Sequence, residues 1–453
     1  MAGCYGKQAM DLRGKRIMVL GLARTGCEVV RFLHTRGAEI VASDGRGKAE
    51  LLSELKSLEG IPVRYLLGGT DPRWVEGVDA LVLSPGVPAD NPMLVEAERK
   101  RIEVLSEIEL AYPFMDCPLV AVTGTNGKST TTTLIGEMLR LGGKKSFVGG
   151  NIGFPLIGFA GAPWEWGVVE ISSFQLEWVE RFRPRIAVLL NLSEDHLDRY
   201  PDFDSYAEVK ERIFAAQEAG DLAVLNRGDP RVWSLKARMP GRVASFGWDE
   251  VDQGAFATAS QLVWRGPEGE ERFPLSRVKI RGVYNVENLM AAVVVGKSIG
   301  LGAEVIQAVM EEFPGLEHRH EFVREKDGVC YYNDSKGTNV GAVLKVLASF
   351  SCPVVLICGG VDKGGDYGVL KEEVKAKVKK LILFGAAREI IQRALGTQTE
   401  TVVVESLQAA VGEAHGSAAP GDAVLLSPAC SSFDLFQNYA ERGKAFKALV
   451  RAL

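Results

Sequence analysis

The chain has 453 residues, of which 46% are hydrophobic and 25% are charged, the composition of a globular protein with a substantial core. At about 100–200 residues per domain, this length predicts two to four domains. The formal net charge of −5 gives no electrostatic reason to expect a nucleic acid or an acidic membrane as a partner.

The cysteines and the N-terminal segment indicate the compartment. Seven cysteines are scattered without a CxxC pair, which is typical of unpaired thiols in a reducing compartment rather than of disulfides or a zinc site. The first 16 residues are too polar for a signal peptide, and no apolar run approaches the length of a membrane span. We therefore expect a cytoplasmic protein.

Short apolar runs, each followed by a glycine-containing turn and an amphipathic stretch, recur along the chain. The runs that predict buried strands are RIMVLGL, GVDALVLSPG, CPLVAVTG, WGVVEIS, RIAVLLNLS, CPVVLICGG, KKLILFG and GDAVLLSPA. Their alternation with helical stretches implies βαβ units and parallel sheets, so the predicted fold class is α/β. Residues 242–280 lack a helical period and predict a small β excursion.

Two places have the character of domain boundaries. The stretch 106–118 contains two prolines ahead of a new strand, and FPGL at 313–316 is expected to end a helix that begins near Asn288. The chain then divides into three segments of ordinary domain size, 1–106, 107–314 and 315–453.

In the first segment, the strand RIMVL leads into GLARTG at 21–26, and the next strand ends at Asp44. A glycine turn after a strand, with an acidic residue ending the second strand, is also typical of dinucleotide-binding domains. The spacing here is GxxxxG rather than GxGxxG, which disfavours NAD.

In the second segment, the strand LVAV leads into TGTNGKS at 123–129, and a helix that ends in a glycine pair follows. Glycines let backbone N–H groups turn inward, and the helix N-terminus favours an anion, so this loop predicts a phosphate site. Lys128 would contact the β- and γ-phosphates and Ser129 would bind magnesium. The match to GxxxxGK[ST] is imperfect, because Val122 occupies the first glycine position. The alternative is a glycine-rich turn with an exposed lysine.

Polar side chains follow two further strands of this segment: Glu170 ends one, and Asp195 and His196 follow the next. Loops beyond the carboxyl ends of parallel strands form the ligand crevice of an open sheet, so these groups are candidate ligands of magnesium bound to a triphosphate. The alternative for a lone strand-end glutamate is a helix N-cap or a solvated loop residue.

Motifs in all three segments resemble those of the Mur ligases, the ATP-dependent amino-acid ligases of bacterial cell-wall synthesis. The matching stretches are GTNGKST, GGNIG (149–153), EISSFQLE (170–177), NLSEDHLDRY (191–200), YNDSKGTN (332–339), GGVDKGG (359–365) and LLSPACSSFDLFQNYAERG (425–443).

The resemblance implies three domains: a Rossmann-like N-terminal domain (1–106) for a UDP-sugar, a central P-loop ATP-binding α/β domain (107–314), and a Rossmann-like C-terminal domain (315–453) for the amino acid. It implies ligation of D-glutamate to UDP-N-acetylmuramoyl-L-alanine through an acyl phosphate, with ATP and two Mg²⁺ sites. We also expect a monomer without nucleic-acid or membrane partners.

The family's functional residues map onto this chain as follows. Those implied for catalysis are Lys128, Asn151, His196 and Lys210, the last as a lysine carbamylated by carbon dioxide. Those implied for ATP are Gly124, Thr125, Asn126, Gly127, Lys128, Ser129, Thr130, Asn288, Arg319, Asp334 and Lys336. Those implied for the metal are Ser129, Glu170, His196 and Lys210. Those implied for the UDP-sugar are Arg24, Thr25, Asp44, Arg46, Gly86 and Asn151. Those implied for D-glutamate are Thr338, Lys363, Ser432 and Tyr439.

The chain also departs from the family pattern. Tyr284 stands where many relatives have histidine, and GLEHR at 315–319 replaces the commoner GLPHR. Without the family, Lys210 would be predicted to be an ordinary exposed lysine on a helix, because lysines are mostly exposed.

Three alternatives compete with this interpretation. A sister ligase would add L-alanine, diaminopimelate or a folyl substrate, but folyl ligases lack the first domain and the DNPR-type motif of diaminopimelate ligases is absent. An NAD(P)-linked oxidoreductase built on 1–106 would leave Lys128, Lys336 and the C-terminal motifs unexplained. A switch NTPase would leave the motif at 425–443 without a purpose.

Overall fold

The computed structural model describes residues 10–280 and 282–453. Cys4 and the rest of the polar segment 1–9, which entered the prediction of the compartment, lie outside the described residues. Within the described ranges, no helix is both long enough and apolar enough to cross a membrane. The other six cysteines are free thiols, as predicted.

The N-terminal part of the chain forms a parallel sheet with flanking helices. Its strands are β1 (Arg16–Leu20), β2 (Glu39–Asp44), β3 (Val63–Leu67), β4 (Ala80–Leu83) and β5 (Glu103–Ser106). Its helices are α1 (Arg24–Thr35), α2 (Leu52–Ser57) and α3 (Pro92–Arg99), with a 3₁₀ turn at Pro72–Val75. All neighbours pair in parallel in the order β3-β2-β1-β4-β5, so the glycine turn after β1 lies at the carboxyl edge of the sheet.

The predicted domain boundary at 106–118 contains regular secondary structure. Ser106 caps the short helix α4 (Glu107–Ala111), and a 3₁₀ turn at Tyr112–Phe114 follows. One apolar cluster includes β1, Ile108 of α4 and Leu119 in the next domain, so the first two domains share a hydrophobic core. The exact residue boundaries 106/107 and 314/315 stay predictions.

The middle part of the chain contains a nine-stranded sheet. Its strands are β6 (Leu119–Thr123), β7 (Ser146–Gly150), β8 (Trp166–Glu170), β9 (Ile186–Leu189), β10 (Leu222–Asn226), β11 (Arg242–Gly247), β12 (Gly254–Ala257), β13 (Gln261–Gly266) and β14 (Gly269–Pro274). The order is β14-β13-β12-β11-β10-β9-β6-β8-β7, and only the β12–β13 and β13–β14 pairs are antiparallel. The predicted β excursion at 242–280 corresponds to β11 through β14.

The helices of this part are α5 (Lys128–Leu141), α6 (Ser173–Leu176), α7 (Phe203–Glu211), α8 (Pro230–Ser234), α9 (Val283–Ile299) and α10 (Ala303–Glu312). Further 3₁₀ turns span Leu156–Phe159, Arg212–Phe214 and Leu235–Arg238. Helices α5, α9 and α10 cover one face of the sheet, and α9 is buried on all sides at Leu289–Gly296 because it packs against the sheet and against α5 and α10.

The single helix predicted from Asn288 to about 313 is wrong in its start and its continuity. The first helix begins at Val283, and Gly300 ends it in the left-handed conformation at φ 91°, a glycine C-cap that stops the helix. The second helix ends at Glu312, ahead of Pro314, as the FPGL motif predicted.

The C-terminal part of the chain contains a six-stranded sheet. Its strands are β15 (Glu321–Lys326), β16 (Val329–Asn333), β17 (Val354–Gly359), β18 (Val378–Phe384), β19 (Glu400–Val403) and β20 (Ala423–Leu426). Its helices are α11 (Val340–Ala348), α12 (Lys371–Lys377), α13 (Arg388–Leu395), α14 (Leu407–Ser417) and α15 (Tyr439–Ala452), with a 3₁₀ turn at Tyr367–Leu370. The order is β15-β16-β20-β17-β18-β19, with only β15–β16 antiparallel. The buried residues of its two core clusters all belong to this part of the chain, and Tyr284 of α9 packs against one of the clusters.

Candidate active site

The loop between β6 and α5 has the backbone geometry of an anion cradle. Gly124 and Gly127 have φ values of 144° and 92°, which favour glycine, and Gly127 directly precedes the helix. A Cβ at Gly127 would lie 2.2 Å from the Asn288 Oδ1 atom of α9, so a side chain here is excluded by contact as well as by conformation. The Lys128 side chain bends back over the loop, and its ammonium donates to the carbonyls of Gly124 and Thr125 at 2.8 and 2.9 Å.

Lys128 lies in a dense group of charges. Burial lowers the pKa of Lys128 to about 8; the carboxylates of Glu170 and Asp195 oppose this shift, and the cations Arg319 and Lys336 add to it. The predicted exposed lysine on a glycine turn, the alternative to a phosphate site, does not fit this environment.

Glu170 ends β8 beside this loop. Its Oε1 atom accepts a hydrogen bond from Asn151 Nδ2 at 2.7 Å, whereas its buried Oε2 atom has no hydrogen-bond partner among the described residues. Burial would raise the pKa of Glu170, but the charges of Lys128 and Lys336 lower it below its ordinary value. The carboxylate is therefore ionised, with one oxygen available for a ligand.

The loop after β9 contributes Asp195 and His196. Asp195 Oδ2 accepts from Asn339 Nδ2 at 3.0 Å, and Asp195 Oδ1 lies 3.4 Å from the Lys363 ammonium. Burial would raise the pKa of Asp195, but Lys363 and His196 lower it. Burial lowers the pKa of His196 to about 4, so the imidazole is neutral at pH 7 and has a lone pair for a metal ion.

Lys210, on α7, is one of the largest fully buried side chains, with 1% of its surface exposed. The prediction of an exposed lysine from the residue type alone is wrong. Burial, reinforced by the charge of Lys128, lowers the pKa of Lys210 well below its usual value. Its ammonium lies 4.8 Å from the ring centroid of Tyr206, and no carboxylate of the described residues forms an ion pair with it.

These residues fit a magnesium ion together with ligands from outside the chain. Within residues 10–280 and 282–453, no group of three His, Cys, Asp or Glu side chains could hold a metal by itself. The free Glu170 oxygen, the neutral His196 and the Ser129 hydroxyl are nevertheless suitable donors, which triphosphate oxygens and a carbamate on Lys210 would complete.

A cavity of about 740 Å³ lies between the middle and C-terminal domains. Its lining includes the predicted ATP residues Asn126, Gly127, Thr130, Asn288, Arg319, Asp334 and Lys336. The two domains meet at this cavity, because Arg319 Nη2 donates to Ser129 Oγ at 2.8 Å. Gly124, Thr125, Lys128 and Ser129, the other predicted ATP residues, do not line this cavity.

The cavity wall from the C-terminal domain is also polar. Burial raises the pKa of Asp334 to about 7 even though Ser427 Oγ and the backbone N–H of His320 donate to its oxygens at 2.7 and 3.1 Å. Burial lowers the pKa of Lys336 to about 8. Tyr284, which departs from the family pattern, lines the same cavity and its hydroxyl is 2.7 Å from His320 Nδ1.

The predicted D-glutamate residues are divided between two places. Thr338 and Lys363 line a small recess together with Asp195 and Asn339, at the junction of the two domains. Tyr439 instead contacts the ATP set, since its hydroxyl accepts from Lys336 Nζ at 2.9 Å. Ser432 is buried in the loop before α15.

Five of the six predicted UDP-sugar residues lie in the first domain, and the sixth, Asn151, follows β7 in the middle domain. Asp44, at the end of β2, accepts from the Leu22 N–H at 2.8 Å and from Arg46 Nη2 at 2.9 Å, and the hydrogen bonds of Arg46 offset burial and lower the pKa of Asp44. Arg24 lies at the start of α1, 5.3 Å above the Phe154 ring, and Thr25 follows it; Gly86 has open space beside its Cα.

Sequence reasoning missed Arg442, a fully buried residue within the C-terminal motif. Its guanidinium donates to the carbonyls of Ser335, Cys430 and Ser431, among others, and so joins the loop before Lys336 to the loop before Ser432. The only sequence signal was its position inside the motif at 425–443, because a buried arginine is otherwise unexpected.

Three family models match the chain. They are the MurD-like N-terminal domain of Mur ligases at residues 15–106, the Mur ligase middle domain at 122–296 and the glutamate ligase domain of Mur ligases at 318–430. A UDP-N-acetylmuramoylalanine–D-glutamate ligase from Geotalea daltonii is 48% identical over 449 residues, 98% of this chain and 99% of its own. The protein of the same description from Geobacter metallireducens is 48% identical over 447 residues, again 98% and 99% of the two chains.

Solved structures share the fold at low identity. A pseudomurein peptide ligase type C from Methanothermus fervidus has a TM-score of 0.63 and 18% identity, and the match covers 97% of this chain and 100% of that one. A UDP-N-acetylmuramate–alanine ligase from Thermotoga maritima has a TM-score of 0.59 and 18% identity over 96% and 99%. These similarities and the three sheets confirm the predicted three-domain α/β architecture.

Proposed function

This chain belongs to the Mur ligase family, and we propose that it joins D-glutamate to UDP-N-acetylmuramoyl-L-alanine with hydrolysis of ATP to ADP and phosphate, a step in peptidoglycan precursor synthesis. The observation on which the proposal rests is the similarity over 98% of the chain to relatives of that name, at 48% identity. The cavity between the phosphate loop and the C-terminal domain supports the same reaction class.

Amide formation explains why this site is built from cations. A carboxylate is a poor electrophile, so the muramoyl-alanine carboxylate first takes the γ-phosphoryl group of ATP, and the resulting acyl phosphate is attacked by the amine of D-glutamate. Positioning and charge neutralisation supply most of the catalysis in phosphoryl transfer. Lys128, Lys336 and Arg319 are suited to neutralise the transferred group, since they lie close enough that repulsion between them adds to burial in lowering the pKa of both lysines.

For magnesium, Ser129 and Glu170 would hold one ion and His196 would contact a second, with Lys210 as a further oxygen ligand after carbamylation. The ions would neutralise triphosphate charge and orient the oxygens that react. Carbon dioxide reacts only with a neutral amine, and the lowered pKa of Lys210 supplies that form. Carbamylation would convert the buried amine into an anionic oxygen ligand, in addition to the free oxygen of Glu170.

For the amino acid, Lys363 would pair with the side-chain carboxylate of D-glutamate, with Thr338 and Ser432 as hydrogen-bond donors beside it. A cation in a recess is an electrostatic discriminator against neutral amino acids such as L-alanine. Tyr439, through its contact with Lys336, would connect this subsite to the phosphates.

For the UDP-sugar, the carboxyl edge of the first sheet supplies Arg24, Thr25, Asp44, Arg46 and Gly86. Asn151 would guide the reacting carboxylate, since its amide already contacts Glu170 beside the phosphate loop. The cytoplasm, where ATP and the nucleotide sugar are available, is the proposed compartment. A monomer is the proposed state, and sedimentation equilibrium would check it.

The test is phosphate release from ATP in the presence of UDP-N-acetylmuramoyl-L-alanine and one candidate amino acid at a time. We expect release with D-glutamate only, and a product heavier than the nucleotide substrate by one glutamyl residue. Comparable turnover with L-alanine on UDP-N-acetylmuramate, or with diaminopimelate, would move the protein to a sister ligase. Nucleotide-dependent melting shifts with NAD but not with Mg–ATP would favour an oxidoreductase.

A further inference from the structure

The turn that contains His196 has an uncommon backbone conformation. His196 has a φ of 56°, in the left-handed region that residues other than glycine seldom adopt. Two backbone hydrogen bonds close the turn, because the N–H groups of Arg199 and Tyr200 donate to the His196 carbonyl at 2.9 and 3.0 Å. The position of His196 therefore depends on whatever holds Arg199 and Tyr200.

A single carboxylate holds both of these side chains. Arg199 Nε and Nη2 donate to the two oxygens of Glu177 at 2.9 and 2.6 Å, and the Tyr200 hydroxyl donates to Glu177 Oε1 at 2.5 Å. The Arg199 and Glu177 side chains are 16% and 12% exposed, so solvent screens this pair little. A two-point arginine–carboxylate contact fixes orientation as well as distance.

The Arg199 guanidinium also influences the orientation of the His196 imidazole, through the ring of Phe174. The Arg199 Cζ atom lies 4.5 Å from the ring centroid of Phe174, and the Phe174 ring meets the His196 ring edge-on at 4.8 Å between centroids. Phe174 is thus held between the guanidinium and the imidazole, which favours one orientation of the imidazole.

The third contact of Arg199 reaches into the first domain. Arg199 Nη1 donates to the carbonyl of Val87 at 3.0 Å. Val87 is buried and directly follows Gly86, in the loop after β4 at the carboxyl edge of the first sheet. Arg199 therefore contacts the UDP-sugar domain through its side chain and the His196 turn through its backbone N–H.

We propose that Arg199 and Glu177 are positioning residues for the ligation, which hold the loop at 84–87 and the His196 turn in one fixed relation. The muramoyl carboxylate, delivered by the first domain, would then meet the triphosphate at the middle domain. This inference rests on the proposed function. It adds to that function two residues, Arg199 and Glu177, to which no substrate contact was assigned above.

The experiment compares Arg199→Lys and Glu177→Gln with wild type in steady-state ligation assays. Arg199→Lys keeps the positive charge but loses the two-point contact and the bond to Val87, and Glu177→Gln keeps the shape of the acceptor. Because small misplacements of reacting groups cost about a hundredfold in rate, we expect kcat to fall about that much in both variants. We expect the KM for the UDP-sugar to rise in Arg199→Lys, with the KM for ATP unchanged.

The matched control is the Arg99–Glu96 pair on α3, another two-point contact, at 2.7 and 2.7 Å, in which the arginine is largely exposed. Arg99→Lys and Glu96→Gln should leave kcat and both KM values unchanged. The inference is overturned if Arg199→Lys and Glu177→Gln lower only the melting temperature and turn over like wild type per folded molecule, or if both KM values rise equally. If Arg199→Lys fails to fold, Glu177→Gln alone decides. An inactive wild type would instead count against the proposed function.

Discussion

At the scale of single residues, Lys210 is a buried lysine whose environment is not explained by packing alone. A buried ammonium without an ion-paired carboxylate among the described residues is costly, because burial disfavours the charged form. Loss of the proton removes that cost, and carbamylation of the neutral amine would then give an anion that a metal ion can pair with.

We therefore predict that Lys210→Ala lowers kcat at least about a hundredfold, as removal of a group that stabilises transition-state charge does. Lys210→Glu should retain more activity than Lys210→Ala, since it restores an anion. The control is Lys236→Ala, which removes an exposed lysine of the same domain. A free amine at Lys210, seen by mass spectrometry or ¹³C-bicarbonate NMR in an active enzyme, would refute the carbamate.

Asp334 gives a prediction about pH. Burial raises the pKa of Asp334 in the folded state from the ordinary 3.8 to about 7, so the folded state resists ionisation that the unfolded chain undergoes freely. Below about pH 4 the carboxyl is protonated in both states and costs nothing; above about pH 7 it is charged in both, and the cost is complete.

Asp334→Asn should therefore be more stable than wild type by an amount that grows between about pH 4 and 7 and then stays constant, on the order of a few kcal/mol. Urea unfolding at several pH values measures this difference. A stability difference independent of pH over that range would contradict the raised pKa. The same variant should bind ATP less tightly if Asp334 contacts the nucleotide.

At the scale of elements, the phosphate loop is shaped by the helix that packs against it. Asn288 of α9 accepts from Thr131 of α5 at 3.3 Å, and its Oδ1 atom occupies the space beside Gly127 where a side chain would point. The loop conformation thus depends on the contact of α5 with α9, and the short phosphate motif alone does not specify it.

Gly127→Ala tests this contact. The new methyl group would displace Asn288 and distort the loop, so we expect nucleotide binding to be lost in calorimetry. Gly143→Ala, at the other end of α5, is the control: its φ of 73° imposes a similar backbone penalty of about 1–2 kcal/mol, but nothing lies within 4 Å of its Cβ position. Both variants should melt lower than wild type, and only Gly127→Ala should fail to bind ATP. Equal ATP binding by both would show that the contact with Asn288 is unimportant.

At the scale of the whole molecule, the C-terminal domain meets the catalytic loops through polar contacts. Asn339 and Lys363 both contact Asp195 of the middle domain, and Arg319 contacts Ser129. By contrast, the first and middle domains share one apolar cluster. On the proposed assignment, Lys363 would exchange the carboxylate of Asp195 for that of D-glutamate.

We predict that Lys363→Ala raises the KM for D-glutamate roughly thirtyfold or more, with little change in the KM for ATP, because loss of one partner of a desolvated charge pair costs about 2–5 kcal/mol. Initial rates with each substrate varied in turn measure both constants. Lys379→Ala, which removes an ion-paired lysine on β18, serves as the control. An unchanged KM for D-glutamate would reassign the amino-acid subsite.

The sequence by itself determined the features that depend on neighbours along the chain. Apolar runs and glycine turns predicted the strands β1, β4, β6, β8, β9, β17, β18 and β20, because buried parallel strands need continuous apolar stretches. The phosphate loop and the strand-end position of Glu170 were also predicted, because both depend on residues that are adjacent in the sequence: glycines ahead of a helix, and a glutamate at the end of an apolar run. Motif order determined the family, which composition and periodicity alone did not.

Only the tertiary structure decided the properties that depend on residues far apart in sequence. The burial of Lys210, the free oxygen of Glu170 and the pairing of Asp195 with Lys363 each require several elements to pack together. The sequence analysis missed the end of the helix at Gly300 because the helical spacing of apolar residues continues past this glycine, although the helix itself does not. Charge environments arise from packing in three dimensions, so sequence spacing predicted which groups meet at the sheet edge and left their ionisation undetermined.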